Sequence, residues 1–110
     1  MAIYSNLTVD QGSTFKANID VTDGDGDALN LAGYSVAGQL RKNYNSSTAI
    51  DFAASVTNAT DGVIQISLSA TQTNNLKAGR YVYDVEITSG GEVTRVIEGQ
   101  LEVTPGVTRA

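Results

Sequence analysis

The sequence predicts an all-β protein, an antiparallel sandwich of about seven strands with one short helical turn. Apolar residues recur at every second position along most of the chain, which is the period of a half-buried strand. The alternating runs are separated by clusters of glycine, asparagine and aspartate, which favour tight turns. With 41% hydrophobic and 17% charged residues, the 110-residue chain has the composition of a folded domain and not that of a disordered chain.

The alternation defines seven candidate strands, each marked by the residues expected to face the core. In chain order these are Ile3, Leu7 and Val9; Phe15, Ala17, Ile19 and Val21; Tyr34, Val36, Gly38 and Leu40; Phe52, Ala54 and Val56; Ile64, Ile66 and Leu68; Tyr81, Tyr83, Val85 and Ile87; and Val93, Ile97, Leu101 and Val103. The last two strands are expected to form a hairpin. Arg95 falls on the inward side of the last strand, so either a bulge resets the register near it or this end of the strand is exposed.

The period changes after the fifth strand. Ser69 and Gln72 have the spacing of a capping box, which opens a helical turn. Gly79 is expected to end that turn. Tyr81 follows at the position where a tyrosine-corner hydroxyl would bind upstream backbone. The strand count and this corner favour an immunoglobulin-like sandwich over a barrel, which is the main alternative.

A single domain is expected to span residues 1–104, because the composition does not shift along the chain and we find no internal repeat. Pro105 and Gly106 end the last strand, so residues 105–110 are predicted to form an extended tail. No apolar run in the sequence approaches the roughly 20 residues of a membrane span, and the first residues do not resemble a signal peptide. We therefore expect synthesis in a cytoplasm and no membrane partner.

The chain contains no cysteine and no histidine, which removes disulfides, the commonest zinc ligands and the commonest general base. A net charge of −5 argues against a nucleic-acid partner, which would need a basic surface. Asp84, Glu86, Glu98 and Glu102 are predicted to lie together on a solvated face, without the apolar pocket that acid catalysis by a carboxylate needs. We expect no catalytic residues and no enzymatic activity.

Three aspartates at alternate positions, Asp23, Asp25 and Asp27, are candidate metal ligands. Calcium prefers several carboxylate or carbonyl oxygens from one flexible loop. In an EF-hand loop beginning at Asp23, however, Ala28 would replace the required glycine and Tyr34 the required glutamate. Aspartate and glycine are also typical of a polar hairpin loop. The sequence leaves both interpretations open: a turn with no cofactor, or a calcium site.

Two of the five tyrosines are candidate interface residues. Tyr34, Tyr81 and Tyr83 share the parity of the core residues and are expected to be buried. Tyr4 near the N-terminal edge and Tyr44 in the longest polar loop remain for the surface. Exposed aromatic side chains often anchor protein interfaces.

Five segments, taken together, carry a family resemblance. They are residues 8–15 (TVDQGSTF), 30–34 (NLAGY), 39–42 (QLRK), 76–85 (LKAGRYVYDV) and 95–103 (RVIEGQLEV), the last followed by Pro105 and Arg109. Their order resembles that in small structural proteins of tailed bacteriophages, especially T4-like phages of marine cyanobacteria. A similar order occurs in the N-terminal domain of some phage upper-baseplate proteins.

The resemblance implies a non-enzymatic, immunoglobulin-like structural protein of the virion, placed in the tail, neck, baseplate or capsid surface. Such a protein would be made in the host cytoplasm and would assemble with other virion proteins and with copies of itself. Arg109, in the predicted tail, is a third interface candidate, since such tails often dock on neighbours. The alternative function, based on the aspartate loop, is a calcium-dependent adhesion or carbohydrate-binding module.

Overall fold

A computed structural model describes residues 3–23 and 25–107 and confirms the all-β prediction. Within these residues there are nine strands and one short helix. Their bounds are β1 Ile3–Tyr4, β2 Leu7–Asp10, β3 Phe15–Asp20, β4 Ser35–Arg41, β5 Ile50–Asp51, β6 Ala53–Asn58, β7 Val63–Leu68, α1 Ala70–Asn74, β8 Gly79–Ser89 and β9 Glu92–Thr104.

The strands form two sheets that pack face to face. In the large sheet the strands lie in the order β9, β8, β4 and β5. Both β1 and β2 pair with the edge of β9 that faces away from β8. The small sheet has the order β3-β7-β6. The pairings are antiparallel, as predicted, except that β1 and β2 run parallel to β9. Alternation of apolar residues shows which face of a strand is buried but not the direction of its neighbour, so this parallel edge could not be predicted.

The core lies between the sheets and consists of the inward residues of both. Leu40, Val85 and Leu101 from the large sheet and Ile64 and Ile66 from the small sheet are completely inaccessible to solvent. Burial of each such side chain contributes about 1.5–3 kcal/mol to folding. The predicted inward parity is therefore confirmed for the central strands of both sheets.

The observed strands differ from the prediction at the first and the fourth candidate strands. The first is interrupted at Ser5 and Asn6, which separate β1 from β2. The fourth, predicted around Phe52, Ala54 and Val56, corresponds to β6, and a short strand that was not predicted, β5, precedes it. Between these strands, at Phe52, the chain passes from the large sheet to the small sheet. The backbone N–H of Phe52 still donates to the carbonyl of Gly38 in the large sheet (2.9 Å), while Ala53 already pairs with Ser67 in the small sheet.

A β-bulge interrupts the β8–β9 hairpin. Val85 pairs with Ile97, but the next residue, Glu86, pairs with Arg95, so that Val96 is the extra residue. Val96 and Ile97 are both buried as a result. Both alternatives for Arg95 hold: the bulge turns Arg95 to the outer side of the sheet, and this end of β9 is exposed. Val93, predicted to face the core, is 56% exposed because the inward pattern before the bulge is shifted by one residue.

The capping box that opens α1 is present as predicted. The Ser69 hydroxyl accepts a hydrogen bond from the backbone N–H of Gln72 (3.1 Å), and the Gln72 side chain accepts one from the N–H of Ser69 (2.9 Å). The helix ends at Asn74, however, and not at Gly79. Leu76 is buried in the core, which draws the chain inward after one turn, and Gly79 instead begins β8.

The tyrosine corner is confirmed, because the Tyr81 hydroxyl donates to the backbone carbonyl of Lys77 (2.8 Å).

The last strand, β9, ends at Thr104, just before Pro105. Gly106 then donates its N–H to the side chain of Gln11 (3.2 Å). Residues 108–110, including Arg109, lie outside the described residues. In the part of the chain that is described, no helix has the length and apolar character to cross a membrane.

Candidate interaction surface

The solvent side of the large sheet gathers most of the polar residues singled out in the sequence. We call this side the outer face; it consists of the outward residues of β1, β4, β5, β8 and β9 and the loop that follows β4. On β8, Asp84 and Glu86 point to this face, while the alternate residues Tyr83 and Val85 point to the core. The predicted solvated position of these carboxylates is therefore confirmed.

One row of side chains crosses the outer face at right angles to the strands. Asp51 pairs with Gln39, Gln39 with Asp84, and Asp84 with Glu98. Tyr4, on the parallel strand β1, is the register partner of Glu98 and completes the row. The amide of Gln39 donates to the Asp51 carboxylate (2.7 Å), which fixes one end of the row.

Arg95 links two carboxylates that lie directly opposite each other in this row. Its Nε lies 3.3 Å from Asp84 Oδ2, and its Nη1 lies 3.5 Å from Glu98 Oε1. Directly opposed like charges destabilise an antiparallel strand pair, and the guanidinium offsets that repulsion. Alternation alone placed Arg95 towards the core, so its role on the outer face could be found only once the bulge at Val96 was known.

A second arginine positions the loop that carries Tyr44. The Arg41 guanidinium donates to the backbone carbonyl of Ser46 (2.7 Å) and to the side chain of Gln39 (3.1 Å). Tyr44, with 75% of its surface exposed, lines a shallow cavity of about 310 Å³ on the outer face together with Val82 and Asp84.

The two candidate interface tyrosines lie on this same face. Ile3 pairs with the buried Ile97, so the alternation of β1 turns Tyr4 to the opposite, outer side. Tyr4 is 64% exposed. Tyr4 and Tyr44 thus lie on either side of the Arg95 ion pairs. Their exposure agrees with the prediction, and their part in an interface stays a prediction.

A partly buried hydrogen bond supports the chain next to Tyr4. The Tyr83 hydroxyl donates to the backbone carbonyl of Ser5 (2.6 Å), at the break between β1 and β2. Burial of the hydroxyl raises the pKa of Tyr83 to about 12, although the bond to Ser5 lowers it in part. Tyr81 and Tyr83 are buried as expected, whereas Tyr34 is only half-buried because it lines the open end of the sandwich.

The aspartate loop folds as a hairpin loop held by its own hydrogen bonds. The Asp23 carboxylate accepts the backbone N–H groups of Asp25 (2.9 Å) and Asp27 (3.1 Å), and Thr22 bridges to Ala28. This is the turn interpretation of the sequence. Within residues 3–23 and 25–107, no cluster of three or more histidine, cysteine or acidic side chains is arranged to hold a metal ion. Calcium binding by Asp23, Asp25 and Asp27 stays a prediction.

A cavity of about 350 Å³ lies beside this loop at the open end of the sandwich. Asp20, Asp23 and Tyr34 line it on one side, and Leu29 and Val96 contribute apolar surface. The cavity is therefore a second concave site of mixed character, separate from the outer face.

No protein-family model and no curated protein matches this chain. Among solved structures it is similar to InlP of Listeria monocytogenes, with 16% identity and a TM-score of 0.50 over 94% of this chain and 28% of that chain. A family 123 glycoside hydrolase from Clostridium perfringens gives 14% identity and a TM-score of 0.43 over 96% of this chain and 24% of that chain. This chain spans about a quarter of either structure. The first likeness concerns the fold alone, and the second is too weak to support a conclusion.

Proposed function

We propose that this chain is a non-enzymatic structural protein of a bacteriophage particle, which acts by assembling with other virion proteins and with copies of itself. The sequence resemblance suggests the virion. The observation that carries the assembly function is the outer face, where exposed Tyr4 and Tyr44 lie on either side of the Arg95 ion pairs. Tyrosine and arginine, with tryptophan, are the residues enriched in the energetic centres of protein interfaces.

The outer face suits an interface because its parts are ordered before a partner arrives. Its strands belong to a hydrogen-bonded sheet, and Arg95 is held by Asp84 and Glu98. Ordering side chains in advance lowers the entropy cost of association. Asp51 and Glu86 add further negative charge, so a complementary partner would present basic groups to this face.

Mass spectrometry of gradient-purified particles of the source phage tests the virion assignment. We expect the chain to be present at a fixed ratio to the major capsid protein, as a ring or lattice requires. Absence of the chain from clean particles would contradict the proposal.

Particles assembled with a Tyr4→Ala/Tyr44→Ala variant test the outer face itself. We expect the folded variant to be incorporated at a clearly lower ratio, because both proposed anchors are removed. Val107→Ala, a change of another exposed side chain, is the control and should be incorporated normally. Normal incorporation of the double tyrosine variant would exclude this face as the assembly surface.

A calcium-dependent adhesion or carbohydrate-binding module is the second candidate, favoured by the position of Asp20 and Asp23 beside the cavity that Tyr34 also lines. A ligand that binds only the folded state raises the melting temperature. Calorimetry with and without millimolar calcium is therefore decisive: an unchanged melting temperature removes this candidate.

A further inference from the structure

The first strand of the small sheet, β3, presents a continuous free edge. Among the described residues it pairs with β7 on one side only, in unbroken register from Phe15 to Asp20. Just beyond this register the N–H of Val21 donates to Gly62, on the β7 side (2.8 Å). Because backbone groups alternate along a strand, Lys16, Asn18 and Asp20 direct their N–H and C=O groups towards the free edge.

The side chains at these same positions are complementary to a second copy. Lys16, Asn18 and Asp20 are all exposed. When two β3 strands align antiparallel about Asn18, each Lys16 lies opposite the partner's Asp20. Opposite charges placed directly across an antiparallel pair are stabilising, and each of these residue pairs can also exchange two backbone hydrogen bonds.

The inward residues fit the same alignment. Ala17 lies opposite the partner's Ile19, and Phe15 lies opposite the partner's Val21. Phe15 and Ala17 are only half-buried in the single chain, because nothing in the described residues covers the free side of β3. Pairing would cover both side chains with apolar residues of the second copy, which adds a hydrophobic contribution to the hydrogen bonds and ion pairs.

The other sheet edges are less suited to strand addition. On β6 the register shifts between Val56 and Asn58, and this strand has no charged side chain that could fix a register. The edge formed by β1 and β2 is broken at Ser5 and Asn6. The edge of β4 is partly covered by β5 and by the hydrogen bond from Phe52.

We propose that two copies of this chain pair antiparallel along β3, with the two-fold axis at Asn18, and join their small sheets into one continuous sheet. The pairing deepens the proposed assembly function, on which it rests, by naming the self-associating edge and its register. A lone lysine on an edge strand normally prevents such pairing. Here the charge of each Lys16 is neutralised by Asp20 of the second copy, which lies opposite it across the two-fold axis.

Charge reversal tests the pairing, with dimerisation measured by sedimentation equilibrium. Lys16→Asp and Asp20→Lys each place like charges opposite each other twice per dimer, so each variant alone should dimerise about tenfold or more weakly than the wild-type chain. An equimolar mixture of the two variants restores opposite charges at both contacts and should form a heterodimer. Lys77→Asp and Glu92→Lys, which change exposed residues away from β3, are charge-matched controls and should dimerise normally.

A disulfide tests the register. Opposed residues of a hydrogen-bonded antiparallel pair have Cα atoms ~5.5 Å apart, within the range of a disulfide. Because the chain has no cysteine, Asn18→Cys should give a covalent dimer on mild oxidation. Ser55→Cys, on the exposed side of β6, is the control and should react far more slowly.

The results separate this inference from the proposed function. A wild-type chain that remains monomeric at all concentrations, or equal cross-linking at positions 18 and 55, overturns the β3 pairing. A monomer that is nonetheless found in purified particles rejects the pairing and leaves the virion assignment standing. A dimer of the expected register that is absent from particles supports the pairing and rejects the virion assignment.

Discussion

At the scale of single residues, Gly99 marks the closest approach of two chain segments. A Cβ atom at this position would collide with the backbone carbonyl of Ser5. Ser5 cannot move away freely, because its N–H donates to Glu98 (2.8 Å) and its carbonyl accepts the Tyr83 hydroxyl. Glycine is therefore required by packing, and the break between β1 and β2 is anchored at this point.

Replacement of Gly99 by alanine should destabilise the protein. The added methyl group meets backbone and not a flexible side chain, so we expect a loss near the upper end of the overpacking range, about 3 kcal/mol. Urea unfolding measures this change. Gln100→Ala, at the exposed neighbouring position, is the control and should cost much less. Equal stability of the Gly99→Ala and wild-type chains would contradict the close approach.

Because of Tyr83, the stability of the protein is expected to fall as the pH becomes alkaline. Its pKa is raised from 10.0 to about 12, chiefly by burial of the hydroxyl. The unfolded chain therefore releases this proton first, and between these pH values it binds fewer protons than the folded chain. Stability must then fall as the pH rises. The contribution of Tyr83 is complete below pH 10 and is lost on approach to pH 12.

Denaturation at a series of alkaline pH values tests this dependence. Below pH 10, Tyr83→Phe should be less stable than the wild-type chain by roughly 1 kcal/mol, because it loses the hydrogen bond to Ser5. Above pH 10 its stability should fall less steeply than that of the wild-type chain, so that the difference shrinks. Tyr44→Phe, at an exposed position, should retain the wild-type slope. Parallel curves for the Tyr83→Phe and wild-type chains would disprove the assignment.

At the scale of elements, the bulge in β9 links core packing to the outer face. It buries Val96 and Ile97 in succession and thereby turns Arg95 towards Asp84 and Glu98. Arg95→Gln removes the charge between two opposed carboxylates, and we expect a loss of about 0.5–1 kcal/mol, since the pairs are partly exposed. The loss should shrink in high salt, which screens the remaining repulsion.

Thermal unfolding at low and high salt measures this effect. Arg80→Gln is the matched control, because Arg80 pairs with Glu102 elsewhere in the same hairpin. A loss for Arg95→Gln no larger than that for Arg80→Gln would show that bridging Asp84 and Glu98 contributes no more than one opposed charge pair across the hairpin.

The change of sheet between β5 and β6 shows what alternation can and cannot predict. Both sheets face the same core. Where the chain changes sheets at Phe52, every second side chain therefore still points to the core. The inward residues of β6 were therefore predicted correctly, whereas β5 was not predicted and the strand count was too low. The bulge left a visible signal, because a charged residue, Arg95, fell on the apolar side. The parallel direction of β1 and β2 left none.

The candidate surface was predictable only in part. The outward parity of Asp84, Glu86 and Glu98 follows from strand periodicity, and so does the absence of Tyr4 and Tyr44 from the core pattern. Two contacts bring Tyr4 and Tyr44 to one face. They are the parallel pairing of β1 with β9 and the hydrogen bond from Arg41 to the carbonyl of Ser46. Neither contact has a local sequence signal.

At the scale of the whole molecule, the two proposed surfaces are separate. The outer face belongs to the large sheet, and the free edge of β3 belongs to the small sheet. A two-fold pair formed along β3 would therefore still present an outer face on each copy. A dimer of this kind can bind further partners at two sites, which is how a small protein extends a symmetric assembly.

An early strand and the last strand are joined in one sheet, since β2 pairs with β9 from Leu7 opposite Leu101 to Asp10 opposite Thr104. Val9, in this edge strand, is 1% exposed. If the N-terminal segment unfolds together with the rest of the sandwich, Val9→Ala should lower the free energy of unfolding by about 2 kcal/mol with an unchanged denaturant slope. Val93→Ala, at a 56% exposed position, should have little effect. A lower slope for Val9→Ala would instead show that β1 and β2 separate before the sandwich unfolds.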